Sequence, residues 1–248
     1  MKNKHIFVSL MLILIIFVLG ACQGPFVNIE RGSGNLVTES RPVADFHAVR
    51  LDGAGRLMIT QGEAEALEIV AEENILDELT SEVLGDTLVL GFKEQPWRKT
   101  LIPTEGITYN LTVVNLSEIT LNGAGVLEID PFEADKLYLL INGASQIKIA
   151  NLSANALSVN ISGTGTLSLS GQVISQKISV DGAGNYQAGD LLTESTEIDI
   201  DGLGNGTVWA TEKLNVMIDG GGSVRFYGSP SVTQEIRGLG NIDNLGEK

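Results

Sequence analysis

The chain has 248 residues, and 31 acidic against 16 basic side chains give it a formal net charge of −15. Such a balance excludes an ordinary nucleic-acid binder, which needs a basic face to neutralise phosphates. The histidines are His5 and His47 and the lone cysteine is Cys22, which excludes a multi-histidine zinc centre, a cysteine-ligated metal and a disulfide framework.

The chain opens on Lys2 and Lys4, followed by an apolar run at residues 6–19 interrupted only by Ser9. The run has the length of a signal-peptide core and falls short of the ~20 residues of a membrane span. Leu19-Gly20-Ala21-Cys22 comes next and resembles a bacterial lipobox. The resemblance implies cleavage before Cys22 and a diacylglycerol on its thiol. Residues 1–21 are thus expected to be a lipoprotein signal peptide and Cys22 the lipidation site. The expected location is extracytoplasmic, with the lipid anchor in a bacterial cell membrane. Residues 22–37 carry Gly24, Pro25, Gly32, Ser33 and Gly34 and read as a flexible tether.

Residues 38–248 read as one domain with an irregular first part, 38–106. Residues 57–60, 67–70 and 87–92 have strand character. Residues 74–84 place Ile75, Leu76, Leu79 and Val83 at helical spacing, with Asn74 as N-cap and Gly85 as the stop. A short helix near the start of a repeat array is expected to cap the open end of its core; a ligand lid is the alternative. A polar loop at 95–99 contains Trp97.

Residues 107–245 carry a turn signature that first appears as Asp52-Gly53-Ala54-Gly55. It returns at Asn122-Gly123-Ala124-Gly125, Asn142-Gly143-Ala144-Ser145, Ser162-Gly163-Thr164-Gly165 and Asp181-Gly182-Ala183-Gly184. Asp201-Gly202-Leu203-Gly204, Asp219-Gly220-Gly221-Gly222 and Arg237-Gly238-Leu239-Gly240 complete the series. From residue 122 the interval is 18 to 20 residues, the mark of a stacked repeat architecture. Between corners, apolar residues alternate, as in Leu137, Leu139, Ile141, then Ile147 and Ile149. Period-2 alternation makes strands with one buried face. The glycines mark corners needing positive φ or close backbone approach. One repeat cannot bury its inner face alone, but stacked coils can. The expected fold is all-β, a right-handed parallel β-helix with one short α-helix near its N-terminal end. A propeller needs ~40 residues per blade and does not fit.

The corners resemble the bacterial head GIN domain family of auto-transporter adhesins, a domain of unknown function. So do Phe46-His47-Ala48-Val49-Arg50-Leu51 ahead of the first corner and Ala71-Glu72-Glu73-Asn74-Ile75-Leu76 leading to Thr87-Leu88-Val89-Leu90. The likeness covers residues 36–245, with Arg237 and Ser145 as departures at the corners. It implies a β-helix at the cell envelope with a role in adhesion, and it carries no catalytic residues.

Three constellations remain. Asp181, Asp201 and Asp219 stack before successive corners and Asp199 shares their face, which offers a calcium edge. Asn and Ser occupy the same position elsewhere, so we assign the column to hydrogen bonds with corner backbone N–H groups and expect no metal or cofactor. His47 has no second ligand and no nucleophile elbow beside it. The acid pairs Glu63/Glu65, Glu72/Glu73 and Glu197/Asp199 raise a polysaccharide-active lyase or hydrolase. Against it, Trp97, Trp209, Tyr186, Phe226 and Tyr227 are scattered, with Arg225 the thin candidate for a basic partner. The serine- and threonine-rich stretch 153–179 reads as exposed strand positions, or else a polar docking face. The expected function is a non-catalytic, lipid-anchored surface-binding protein whose partner is a glycan or surface protein. An envelope scaffold or signalling accessory is the third reading. A groove placing several acids beside Arg225 or Trp209 would favour the enzyme.

Overall fold

A computed structural model of the protein describes residues 28–94 and 99–248, so the leader, Cys22 and Trp97 lie outside the described residues. The chain divides into two compact units. In one, β1 (Asn28–Arg31) pairs in parallel with β8 (Lys99–Ile102). The other, residues 32–93 and 103–248, is a parallel β-solenoid of about 6 turns.

Its first part runs β2 (Leu36–Arg41), β3 (Ala48–Leu51), β4 (Ala54–Gln61), β5 (Ala66–Glu72), α1 (Glu73–Leu76), β6 (Leu79–Leu84), β7 (Thr87–Phe92) and β9 (Thr108–Val113). The coils then follow: β10 (Glu118–Leu121), β11 (Ala124–Ile129), β12 (Phe132–Ile141), β13 (Ala144–Ile161), β14 (Thr164–Val180), β15 (Ala183–Ile200), β16 (Leu203–Ile218), β17 (Gly221–Tyr227), β18 (Ser231–Ile236) and β19 (Leu239–Asn244). Each pairs in parallel and in register with the strand one repeat on; Leu127 faces Ile147, and Ile147 faces Leu167.

All eight signature corners pile into one column. Ala124 N donates to Gly53 O, Ala144 N to Gly123 O, and the series continues to Leu239 N on Gly220 O, at 2.8–3.1 Å. The glycines serve close approach. A Cβ on Gly143, Gly182, Gly202 or Gly220 would lie 2.0–2.1 Å from the carbonyl oxygen of the glycine one coil before. Gly53 is the corner glycine with clearly positive φ, at 133°. Within the coils β10–β19, left-handed backbone appears at the second bend, at Asn151 (φ 51°), Gly171 (φ 126°) and Gly228 (φ 97°). There the register shifts, between Ile149 and Leu152 and again between Ser168 and Ser170.

The alternating residues fill the core. Leu137, Leu139, Ile141, Ile147, Ile149, Leu157, Val159 and Ile161 are at most 2% exposed, each worth about 1.5–3 kcal/mol on burial. The core also holds a polar chain that the pattern does not announce. Tyr186 Oη donates to Gln176 Oε1 (2.6 Å), and Gln176 Nε2 donates to Thr196 Oγ1 (2.9 Å). Thr196 meets Thr193 at 2.8 Å, and Thr193 Oγ1 donates to Trp209 O.

The N-terminal end departs from the expected helix at 74–84. Only residues 73–76 are helical. Ile75, Leu76 and Leu79 are buried as the spacing required, but the chain then extends into β6, antiparallel to β7. Gly85 (φ 70°) therefore starts a two-residue hairpin turn rather than ending a helix. Asn74 is not the N-cap; its Oδ1 accepts from Ser33 N (2.9 Å). At this end β6 lies antiparallel on β7, β2 on β5 and β5 on β9. The presumed tether is partly structured: Glu72, 1% exposed, accepts from Gly34 N (2.7 Å), Thr104 N (2.8 Å) and Glu105 N (3.2 Å). These donors, with the Thr104 hydroxyl, hold its carboxyl down at about 2.

Candidate binding face

Stacking in register turns each outward position into a column. Three positions after the second glycine position of each corner lies a row of Lys148, Ser168, Gln187, Thr207 and Arg225, one residue per coil. Beside it run Gln146, Thr166, Asn185, Asn205, Ser223 and Asn241. Neighbours in a column are ~4.8 Å apart. This face is therefore a flat array of amides and hydroxyls. Ser168 Oγ donates to Gln187 Oε1 (3.2 Å) and Ser223 Oγ to Asn205 Oδ1 (2.8 Å).

A shallow trough of about 700 Å³ follows the corners, floored by Gly125, Ser145, Gly165 and Gly184. Ser145, where the signature has its second glycine, is 7% exposed, and its Oγ has no hydrogen-bond partner. On the far side of the columns lies a groove of about 480 Å³ lined by Lys148, Gln187, Asp190, Arg225, Tyr227 and Lys248 among others. Trp209 and Tyr227 are register partners, and Lys248 Nζ sits 5.4 and 5.0 Å from their ring centroids. The same ammonium bonds Gly189 O (2.6 Å) and the Asp190 carboxylate. Arg225 donates to Thr207 Oγ1 (3.2 Å).

The fold thus joins two aromatics that look scattered in sequence, while Tyr186 (0% exposed) and Phe226 (6%) belong to the core. Lys148, Asp190 and Lys248 escape sequence reading. Lys148 could be found by stepping back from Arg225 one repeat at a time; Lys248 reaches Asp190 across 58 residues by a fold-back without sequence periodicity.

Hydrolysis of a glycosidic bond needs two carboxyls across the sugar. Within this groove Asp190 is the carboxylate, and it is tied to Lys248. The sequence-level acid pairs lie elsewhere. Glu65 accepts from Asp45 N, Glu72 pins the N-terminal loops, and Glu197 pairs with Lys177 at 2.7 Å. His47 is exposed, and the neighbouring Ser117 hydroxyl bonds its carbonyl rather than its ring.

The polar residues of the first three corners bond between coils rather than to corner backbone N–H groups, the expected partners, while the Ser162 hydroxyl donates to Asn160 Oδ1 two residues before it (3.1 Å). Asn122 Nδ2 donates to Asp52 Oδ1 (2.7 Å), and Asn142 Nδ2 to Asn122 Oδ1 (2.8 Å). Arg237 at the last corner pairs with Glu235 and lies 3.9 Å from Asp219. Burial, then Asp201, Asp181 and Glu197, push the Asp199 carboxyl up. Among the described residues no group of three or more His, Cys, Asp or Glu side chains is arranged to hold a metal ion.

The family model for "putative auto-transporter adhesin, head GIN domain" matches residues 45–230, from the strand ahead of the first corner to the end of β17. The chain belongs to the head GIN domain family. As a GIN domain it is similar to a crystal structure described as a putative adhesin from Bacteroides fragilis. The two are 25% identical with TM-score 0.82, over 87% of this chain and all of that one. A putative adhesin from Parabacteroides merdae gives 22% identity and TM-score 0.69, over 88% of this chain and 99% of that one. A putative lipid binding protein from Parabacteroides distasonis gives 22% identity and TM-score 0.65, over 88% and 100%. The last two likenesses show the GIN fold alone. Comparison with curated proteins finds no match.

Proposed function

We propose that this GIN domain is a non-catalytic surface-binding protein of the bacterial cell envelope, held by a lipid on Cys22, and that it binds extended polymers along the amide-and-hydroxyl face. An adhesin family is one of cell-surface or extracytoplasmic proteins, and the lipobox-like Leu19–Cys22 sequence supplies the reason for the anchor. The observation that carries the reading is the in-register face itself. Gln146, Thr166, Asn185 and Asn205 repeat donors and acceptors at the coil spacing on a scaffold that cannot slide. A repeating ligand gains one contact per coil there, at little ordering cost to the protein.

The test uses the full chain purified in detergent, incubated with a panel of bacterial and host polysaccharides. Retention with no new reducing or unsaturated ends is expected; release of either would establish catalysis and overturn the reading. In cells, Cys22→Ser should abolish lipid labelling and membrane retention, and retention of the variant would remove the anchor.

A further inference from the structure

Building on the surface-binding reading, we infer that the groove between Lys148, Arg225 and Lys248 binds an anionic polysaccharide. The end cations receive its carboxylates, and the row between them receives its hydroxyls. Lys148 and Arg225 lie on one column, four coils or about 19 Å apart at ~4.8 Å per coil. In a chain of net charge −15 both are exposed and make no ion pair among the described residues.

Of the three acids around them, two are held in ion pairs and one in a hydrogen bond. Glu128, beside Lys148 in register, pairs with Arg56. Asp190 pairs with Lys248. Asp243, beside Arg225, accepts from Asn241 Nδ2 at 2.7 Å. Two cations are thus left to an outside anion, and a charge-assisted bond to a carboxylate is roughly twice as strong as a neutral one. Between them Ser168, Gln187 and Thr207 present hydroxyl and amide groups suited to sugar hydroxyls, and Tyr227 adds an amphipathic ring. Gly189 keeps the groove open: a Cβ there would lie 3.1 Å from Thr207 and 3.2 Å from Tyr227. An acidic peptide fits less well. Peptides dock by adding a strand to a sheet edge or by filling apolar pockets, and this face, inside a continuous parallel sheet, offers neither.

The test is calorimetric titration of the full chain in detergent with polygalacturonate, dextran and polyglutamate. Polygalacturonate should bind, with dextran and polyglutamate at least about tenfold weaker, and each lost charge-assisted contact should cost about tenfold. Lys148→Gln with Arg225→Gln should therefore weaken polygalacturonate about a hundredfold at an unchanged melting temperature. Equal binding of dextran would overturn the anionic ligand while leaving surface binding standing. Equal binding of polyglutamate would overturn the sugar. An unaffected double variant would overturn the site, and binding of none of the three would overturn the proposal.

Discussion

Gly202→Ala tests the stacking argument at one atom. The added Cβ would lie 2.1 Å from Gly182 O and 3.0 Å from its carbonyl carbon. The three nearest atoms are all backbone of the preceding coil, so no side chain can swing away. Relief requires the two coils to part at the corner, which stretches the Leu203 N to Gly182 O bond of 2.9 Å. Overpacking costs about 1–3 kcal/mol, and the bond adds about 0.5–1.5 kcal/mol. The expected loss is therefore about 2–4 kcal/mol, or about 4–16 °C in melting temperature for a chain of this size. Because Gly202 is not left-handed, the penalty does not come from φ, and alanine should suffer nearly as much as valine. Gly106→Ala is the control, since nothing lies within 4 Å of its Cβ. Differential scanning calorimetry of both variants decides. A Gly202→Ala melt within a degree or so of wild type would refute the steric column.

Two further outcomes follow from buried polar groups. The Glu72 carboxyl is held at about 2, below its ordinary 4.5. Its contribution to stability is therefore full above about 4.5 and is lost as the pH falls through about 2; Glu72→Gln should lower the melting temperature at neutral pH and flatten that acid limb in a pH series of melts. Tyr186→Phe strips Gln176 Oε1 of its donor, and the expected cost is about 1–3 kcal/mol by chemical denaturation. Adding Gln176→Leu should cost less than the sum of the two single changes, because both partners are then gone.

The regular coils are legible because each local rule agrees with the fold: apolar residues alternate and glycine marks each corner. Where two rules conflict, the sequence misleads. Residues 74–84 satisfy helical spacing, yet Thr80 and Val83 are β-branched, and the free edge of β7 rewards an antiparallel partner. The glycine requirement is legible, but its cause is not, since the carbonyl oxygen that forbids a Cβ belongs to a residue one repeat away. The same holds for the binding face. Lys148 and Arg225 belong together only after the intervening repeats are stacked, and Lys248 joins them by a non-periodic return of the chain.

Net charge shows the same division between what composition reveals and what position decides. Six of the acids lie on the strands ahead of the corners and at the corners themselves: Glu197, Asp199, Glu235, Asp181, Asp201 and Asp219. Their crowding is visible in the raised carboxyl of Asp199. Past the corner the chain carries Gln146, Thr166, Asn185, Asn205, Ser223 and Asn241, all uncharged. Exposed charges more than about 8 Å away are largely screened at physiological ionic strength. The potential at Lys148 and Arg225 is therefore set by their own column, where Glu128 beside Lys148 is paired with Arg56 and Asp243 beside Arg225 is hydrogen-bonded to Asn241. A strongly acidic total, sufficient to argue against a nucleic-acid duplex that must be neutralised over a broad face, is no obstacle to an anionic sugar that needs only a cation at each end of a row of hydroxyls.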